Sequence, residues 1–131
     1  MTSENIKVLV SYRIQQAEES LDAAKILLEQ RLVRPATNRA YYAMFYAVLA
    51  LLATKKQETS KHSGAISIFD RDFVKTGLFS KEFSRWIHDA FDLRQKSDYA
   101  PQTEVSENQA SEVIERAQVF VRDVKKRLEE K

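Results

Sequence analysis

Apolar residues recur at helical spacing through most of this 131-residue chain. The first run of them is spaced alternately by four and three residues, as expected for the single buried stripe of an amphipathic helix. This run consists of Val10, Ile14, Ala17, Leu21, Ala24 and Leu28. The pattern predicts a long bundle helix from about Asn5 to Gln30.

The next segment is apolar on almost every side. Alanines at positions 36, 40, 43, 47 and 50 form a ridge of small side chains, while aromatic residues such as Tyr41 and Phe45 cover another face. A proline suits the first turn of a helix, and the residue before it is pushed out of the helical region. We therefore place the start of this helix near Pro35, after Arg34, and its end near Lys55. A helix that is hydrophobic all round is expected at the centre of a fold.

A polar connection precedes a third, shorter apolar pattern. The apolar residues of this pattern are Ala65, Ile66, Ile68, Phe69 and Phe73. Ser60 or Ser63 could accept hydrogen bonds from the first free N–H groups of a helix, and Gly77 is a residue type that commonly ends one. We predict a short third helix between these limits.

Two further helices complete the prediction. Ser80 can cap the fourth helix, which continues to about Asp98 until Pro101 prevents its extension. Ser106 and Gln109 have the spacing of a capping box, in which each side chain bonds the other residue's backbone N–H. They predict the start of the fifth helix, whose apolar stripe is Val113, Ala117, Phe120, Val124 and Leu128.

Composition supports an all-α fold. Only two glycines and two prolines occur, and such scarcity is typical of a nearly all-helical chain. Four long helices joined by short connections predict an antiparallel four-helix bundle with one short additional helix. We expect residues 1–131 to form one domain, because no repeat or compositional break divides them.

The charge and the terminal segments exclude several classes of protein. With 21 basic and 19 acidic residues the net charge is +2, so no global charge favours nucleic-acid binding. The chain has no cysteine, which fits a reducing compartment. The N-terminus lacks the pattern of a signal peptide, and the longest apolar run, residues 40–53, is too short to span a bilayer. We expect a cytoplasmic protein without membrane association.

Charge interrupts the apolar stripe of the fourth helix. Phe83, Ile87 and Ala90 are followed at the same spacing by Arg94 and Asp98, so both charged residues lie on the face that should contact other helices. An arginine there offers a planar fork of donors that can hold a phosphate or carboxylate, with the aspartate one turn later to orient it. The alternative is a structural ion pair that closes the end of the helix.

Other polar residues could join such a site. Lys61 and His62 precede or open the third helix, where free N–H groups and the helix dipole favour anions. A solvent-exposed histidine at a helix start is the alternative there. Asn38, Arg39 and Tyr42, near the start of the second helix, could reach a shared cleft, or could be ordinary surface and core residues.

Motifs for other kinds of chemistry are missing from the sequence. We find no Walker loop, no GxGxxG, no HExxH and no GxSxG, and the two histidines stand far apart. No pair of the ExxH type found in di-iron bundles occurs. We therefore expect neither a metal site nor a cofactor.

Three segments together resemble the HEPN (higher eukaryotes and prokaryotes nucleotide-binding) domain proteins, especially their small stand-alone prokaryotic branch. These segments are NRAYYAMFYAVLALL, KHSGAISIFDRDFVKTGLF and AFDLRQKSDY, in that order across five helices. The resemblance covers about residues 8–127. It implies a homodimeric helical bundle that binds a nucleotide or RNA and forms a toxin–antitoxin pair with a minimal nucleotidyltransferase.

The resemblance also implies a possible activity. Many HEPN proteins are metal-independent endoribonucleases built around an arginine and a histidine that are separated by four to six other residues. The arginine stabilises the charged phosphorane, and the histidine moves protons. Arg94 matches the arginine, but Tyr99 stands five residues later where the histidine is expected. A phenol with a pKa of about 10 and a carboxylate with one of about 4 are poor bases at neutral pH. His62 could replace the missing histidine, and Tyr99 could accept an adenylyl group from the nucleotidyltransferase.

Three hypotheses about function remain open. In the first, a nucleotide- or RNA-binding subunit uses Arg94 as a phosphate clamp oriented by Asp98, with Lys61, His62 and Arg39 as further contacts. In the second, an active ribonuclease toxin combines Arg94 with His62 or Tyr99 as the group that moves protons. In the third, the bundle is a non-catalytic scaffold whose arginine and aspartate close a dimer interface.

Overall fold

The computed structural model describes residues 3–57, 59, 61–99 and 104–130. Within these residues the protein is all-α, without a strand, as predicted. The elements are α1 (Ser3–Glu29), α2 (Val33–Thr54), α3 (His62–Phe69), a π-helical segment (Asp70–Val74), α4 (Lys81–Tyr99) and α5 (Glu107–Glu129). Four long helices with a short one between α2 and α4 confirm the predicted bundle. No described helix is long and apolar enough to cross a membrane.

Helix α2 is the centre of the bundle. It contacts α1, α3, α4 and α5, and its alanine ridge at positions 36, 40, 43, 47 and 50 is buried. Small side chains on that ridge let neighbouring helices approach closely, while Tyr41, Met44 and Leu51 fill the space between them. The prediction that an apolar helix would take the central position is confirmed.

Helix α1 ends within one residue of the predicted Gln30, whereas α2 begins before the predicted Pro35. Helix α1 ends at Glu29 through a Schellman motif, with Arg31 in the left-handed region at φ 60° and the N–H of Leu32 bonded to the Leu27 carbonyl. Helix α2 then begins at Val33, so the expectation that the residue before Pro35 would lie outside the helix was wrong. Proline is accepted in the first turn because its missing N–H would have no partner within the helix.

The third helix is shorter than predicted and changes its winding. Helix α3 ends at Phe69, and a π-helical segment continues it to Val74 before a turn at Gly77, whose φ is +84°. No side chain caps α3, whose N-cap residue is Lys61. Ser63 lies inside the first turn, so it is not the cap, and Ser60 lies outside the described residues.

The last two helices begin where the sequence predicted. Helix α4 starts directly after Ser80, whose carbonyl accepts a hydrogen bond from the backbone N–H of Phe83. Helix α5 opens with the complete capping box of Ser106 and Gln109. Pro101, the predicted stop of α4, lies outside the described residues.

Helices α2 and α4 run antiparallel and are joined near their ends. A guanidinium nitrogen of Arg34 donates to the Ser97 carbonyl, and the Asn38 amide donates to Asp98 Oδ2 at 3.3 Å. Both acceptors are in the last turn of α4. The Ser97 carbonyl is available there because the last carbonyls of a helix lack partners within it. These bonds place the C-terminal turn of α4 beside the first turns of α2.

Candidate functional site

Arg94 packs its guanidinium on two tyrosines of α2. The guanidinium carbon lies 5.5 Å from the centroid of the Tyr41 ring and 5.2 Å from that of Tyr42, within cation–π distance of both. Only 15% of the Arg94 side chain is exposed. The stripe of α4 turns the arginine toward α2, as the spacing predicted, and the tyrosine rings provide an apolar floor beneath the charge.

Arg94 donates no hydrogen bond to the residues that the structure describes. Its Nε lies 3.5 Å from Asp98 Oδ2, an ion-pair distance, yet this buried Nε has no hydrogen-bond partner. No side chain or carbonyl of the described residues accepts a hydrogen bond from the rest of the fork. By contrast, Arg116 pairs with Glu112 at 2.7 Å and with Asp89 at 3.6 Å. Arg94 therefore has bonding capacity for a planar anion.

His62 comes from α3 to the same two tyrosines. Its ring is stacked on Phe45, with centroids 4.1 Å apart and planes 6° from parallel. Its Nδ1 is 2.8 Å from the Tyr41 hydroxyl, and its ring lies 5.6 Å from that of Tyr42. Arg94 and His62 are thus brought to neighbouring positions on the Tyr41 and Tyr42 rings, although no hydrogen bond joins them.

This environment keeps both ring groups neutral. Burial lowers the pKa of His62, and the nearby Arg94 charge lowers it further. Burial strongly raises the pKa of Tyr41, more than the Arg94 charge opposes, so the phenol keeps its proton at neutral pH. The site therefore combines a permanent cation with an uncharged imidazole and an uncharged phenol.

The other predicted residues stand in different places. Arg39 lies 5.1 Å over the Tyr42 ring, but its Nη2 donates to Ser20 of α1 at 2.8 Å. Lys61 is exposed before α3, and its backbone N–H donates to Thr59 Oγ1 at 3.2 Å. The side chain of Tyr99 lies outside the described residues. Of the predicted set, the structure groups Arg94, Asp98, His62 and Arg39 around α2 and leaves Lys61 at the margin.

Sequence reasoning missed Tyr41 and Phe45 as parts of this cluster. Both are buried on α2, and their sequence spacing is that of ordinary core aromatics. The only hint was that tyrosine, rather than phenylalanine, occupies a buried position, because a buried hydroxyl needs a partner. The second histidine, His88, is elsewhere: its Nε2 lies 2.7 Å from Asp70 Oδ2.

The cluster has the chemistry of an anion site. A fixed cation and an imidazole, both held on an aromatic floor, can bind a phosphate through its oxygens. A metal is not needed for such binding. No group of three or more His, Cys, Asp or Glu residues within the described ranges is arranged to hold a metal ion.

Comparison with known proteins identifies the family. The model of the HEPN domain matches residues 10–128, nearly the whole chain. The chain belongs to the HEPN family. The match includes every residue of the Arg94 cluster, so the resemblance seen in the three sequence segments is confirmed at the level of the family.

Similar proteins occur in Thermotoga maritima and Methanocaldococcus jannaschii. A "UPF0332 protein" of Thermotoga maritima is 38% identical over 93% of this chain and 92% of its own length. Two proteins of Methanocaldococcus jannaschii bear the name "Putative toxin". One is 39% identical over 99% of this chain and 96% of its own length, and the other 36% over 88% and 78%.

Proposed function

We propose that this HEPN protein is the nucleotide- or RNA-binding subunit of a toxin–antitoxin pair, in which Arg94 is the phosphate clamp and Asp98 orients it. The toxin part of the proposal is suggested by the names of the two Methanocaldococcus relatives. The phosphate part is carried by one observation: Arg94, whose Nε is buried and whose side chain is 15% exposed, makes no hydrogen bond to the described residues. A charge left in that state suits a ligand better than it suits the core.

Asp98 has a geometry that suits an orienting role. Its Oδ2 accepts from Asn38 at 3.3 Å and faces the Nε side of Arg94 at 3.5 Å. The carboxylate therefore lies closest to Nε and not to the two terminal nitrogens of the guanidinium. An anion can bind those terminal nitrogens without displacing the aspartate.

Binding of a labelled single-stranded RNA, followed by fluorescence anisotropy at two salt concentrations, tests the clamp. We expect Arg94→Met to weaken binding and to reduce the dependence on salt by about one phosphate contact. The matched control is Arg85→Met, which removes the same charge from an exposed position of the same helix. Equal losses in both variants would show that net charge, and not a site, governs the binding.

We further propose that the chain acts as a homodimer with a minimal nucleotidyltransferase as its antitoxin, and that Tyr99 accepts the adenylyl group. A twofold contact near the end of α4 would place two copies of Arg94 around one groove. Light scattering after size exclusion tests the dimer. Mass spectrometry of the chain after incubation with ATP and a nucleotidyltransferase tests the acceptor, and a Tyr99→Phe variant should then gain no mass.

A ribonuclease is the second candidate, because His62 lies beside Arg94 around the same tyrosines. In that mechanism the histidine moves the proton while the arginine stabilises the charged phosphorane. Cleavage of a labelled RNA in the presence of EDTA is the direct assay. Activity that is lost in both Arg94→Met and His62→Gln would support the nuclease, and activity that survives both would contradict it.

A further inference from the structure

The hydrogen bond between Tyr41 and His62 has a direction that the burial of the tyrosine determines. The Tyr41 hydroxyl lies 2.8 Å from His62 Nδ1, and the tyrosine side chain is fully buried. Either the hydroxyl donates to an unprotonated Nδ1, or a protonated Nδ1 donates to the hydroxyl oxygen. In a neutral ring, the other nitrogen, Nε2, carries the hydrogen in the first case and is bare in the second.

Only one of these directions satisfies the hydroxyl. Within the described residues, His62 is the sole hydrogen-bond partner of the Tyr41 hydroxyl. If His62 were the donor, the phenolic proton would be buried without an acceptor, and an unsatisfied buried donor is costly. If Tyr41 is the donor, its proton is satisfied, and the hydroxyl leaves no buried donor without an acceptor.

We infer that Tyr41 is a positioning residue, whose hydroxyl donates to His62 Nδ1, fixes the tautomer that carries hydrogen on Nε2, and thereby provides a second donor for an anion bound at Arg94. The anion part of this inference rests on the proposed function. The tautomer follows from the hydrogen bond alone. The raised pKa of Tyr41 and the lowered pKa of His62 agree with a neutral phenol that donates to a neutral imidazole.

The fixed tautomer decides what His62 can do. With hydrogen on Nε2 and Nδ1 occupied by Tyr41, the neutral ring can donate to a phosphate oxygen but offers no free lone pair to a ribose hydroxyl. Accepting a proton as a base would require His62 to give up its bond to Tyr41. The arrangement thus favours binding of a phosphate by Arg94 and His62 over general-base catalysis.

A long-range 1H–15N NMR spectrum of the full chain tests the tautomer directly. The chain contains only two histidines, so a His88→Gln variant assigns the signals of His62. At a pH above the titration of His62, we expect a protonated-type Nε2 and an unprotonated, hydrogen-bonded Nδ1. A protonated Nδ1 with a bare Nε2 would overturn the inference.

A Tyr41→Phe variant tests whether the hydroxyl is the cause. The change keeps the ring beneath Arg94 and removes only the donor, so we expect His62 to become a mixture of tautomers. Tyr46→Phe, one turn later in the same helix and half-buried, is the matched control and should keep the wild-type spectrum. An unchanged His62 spectrum in Tyr41→Phe would contradict the positioning role. If that variant does not fold, the wild-type spectrum still decides the tautomer.

Titration with inorganic phosphate separates the tautomer from the anion site. We expect phosphate to shift the His62 signals in the wild type and to bind Tyr41→Phe about twofold more weakly, because only about half of the His62 rings in that variant would carry hydrogen on Nε2. An absence of any shift in the wild type would overturn the anion role and count against the proposed clamp. The wrong tautomer with normal phosphate binding would overturn the role of Tyr41 and leave the clamp standing.

Discussion

The two halves of α4 place one face of the same helix on two different aromatic surfaces. In the N-terminal half, Phe83 packs on the rings of Phe79 and Phe120, with centroids 5.6 and 4.9 Å away. In the C-terminal half, Arg94 lies on Tyr41 and Tyr42 at similar distances. The first surface consists of phenylalanine rings, with Arg127 5.9 Å from the Phe79 centroid, whereas the second carries hydroxyl groups and lies against a closer arginine. The same periodicity therefore places core residues at one end and the proposed anion site at the other.

Hydrogen bonding shows the same difference. Interiors normally satisfy their buried polar atoms. At the C-terminal end of α4, however, Arg94 Nε and Ser97 Oγ are buried without a hydrogen-bond partner. The phenylalanine rings at the other end carry no polar atoms, although Asp70, which pairs with His88 of that half, also has one buried oxygen, Oδ1, without a partner. We infer that the N-terminal half supplies stability and that the C-terminal half bears a cost in stability that binding recovers.

The largest expected effect comes from a substitution among the phenylalanine rings that pack against the N-terminal half of α4, which we call the hydrocarbon end; the C-terminal half with Arg94 is the polar end. Phe120 is fully buried and contacts the rings of both Phe69 and Phe83. Phe120→Ala should lower the free energy of unfolding by about 3–5 kcal/mol, because it removes buried surface and leaves a cavity. Urea denaturation followed by circular dichroism measures the change. The folded fraction should still bind RNA as the wild type does, and a loss of affinity in that fraction would show that the two ends are not independent.

The opposite pattern is expected at the polar end. Arg94→Met keeps much of the side-chain volume, and the Asp98 carboxylate that it leaves behind is 32% exposed and stays hydrated, so the free energy of unfolding should change by less than about 1 kcal/mol. Affinity for RNA should fall about tenfold or more, measured by anisotropy at fixed salt. If the variant is strongly destabilised but its folded fraction binds RNA as the wild type does, Arg94 and Asp98 form the structural ion pair that was the alternative from the sequence.

The sequence predicted the hydrocarbon end of the protein better than the polar end. Helical periodicity sufficed to place Phe83 and Ile87 in the core, because burial follows directly from spacing. The same spacing placed Arg94 on the inner face, but it could not show that His62, 32 residues earlier, would meet the same tyrosines. That contact depends on how α3 packs against α2, which is a property of the tertiary structure.

Helix ends were also predicted unevenly. The capping box of α5 follows from two side chains and was read correctly. The ends of α1 and α2 rely on Arg31 and Lys56 in the left-handed region, at φ 60° and 58°, where glycine is the usual signal. The π-helical segment after Phe69 has no local sequence signal that we recognise. Such features are selected by backbone packing, so propensity alone does not reveal them.

Acid should weaken the polar end selectively. Burial lowers the pKa of His62 in the folded protein below its unfolded value of about 6.5. The unfolded chain therefore binds the proton more readily, and the free energy of unfolding should fall as the pH drops from about 6.5 through the folded pKa. In a His62→Gln variant this part of the pH dependence should disappear. Urea titrations of both proteins between pH 5 and pH 7.5 measure it, and parallel curves would contradict the lowered pKa.

A bound phosphate should reverse the direction of that shift. An anion beside His62 favours the imidazolium, so the pKa of His62 should rise when inorganic phosphate is present. The proton signal of Cε1–H in the two-histidine chain reports the midpoint directly, with His88 as the internal reference. A midpoint that phosphate leaves unchanged would separate His62 from the anion site.

The smallest effect should come from Asn38, whose amide holds Asp98 Oδ2 at 3.3 Å on the surface of the bundle. Asn38→Ala should cost about 0.5–1 kcal/mol in unfolding free energy, as for a partly exposed hydrogen bond. It should also weaken RNA binding about two- to fivefold, because the released carboxylate can turn to the free fork of Arg94 and compete with the phosphate.

A double-mutant cycle distinguishes this competition from general damage. If Asp98 is the competitor, Asn38→Ala should have no effect on affinity when Asp98 has already been replaced by alanine. Equal losses in the two backgrounds would mean that Asn38 acts on the ligand by another route. The cycle thus measures whether the polar end of α4 keeps its charge available for binding because Asn38 holds the nearest carboxylate away from it.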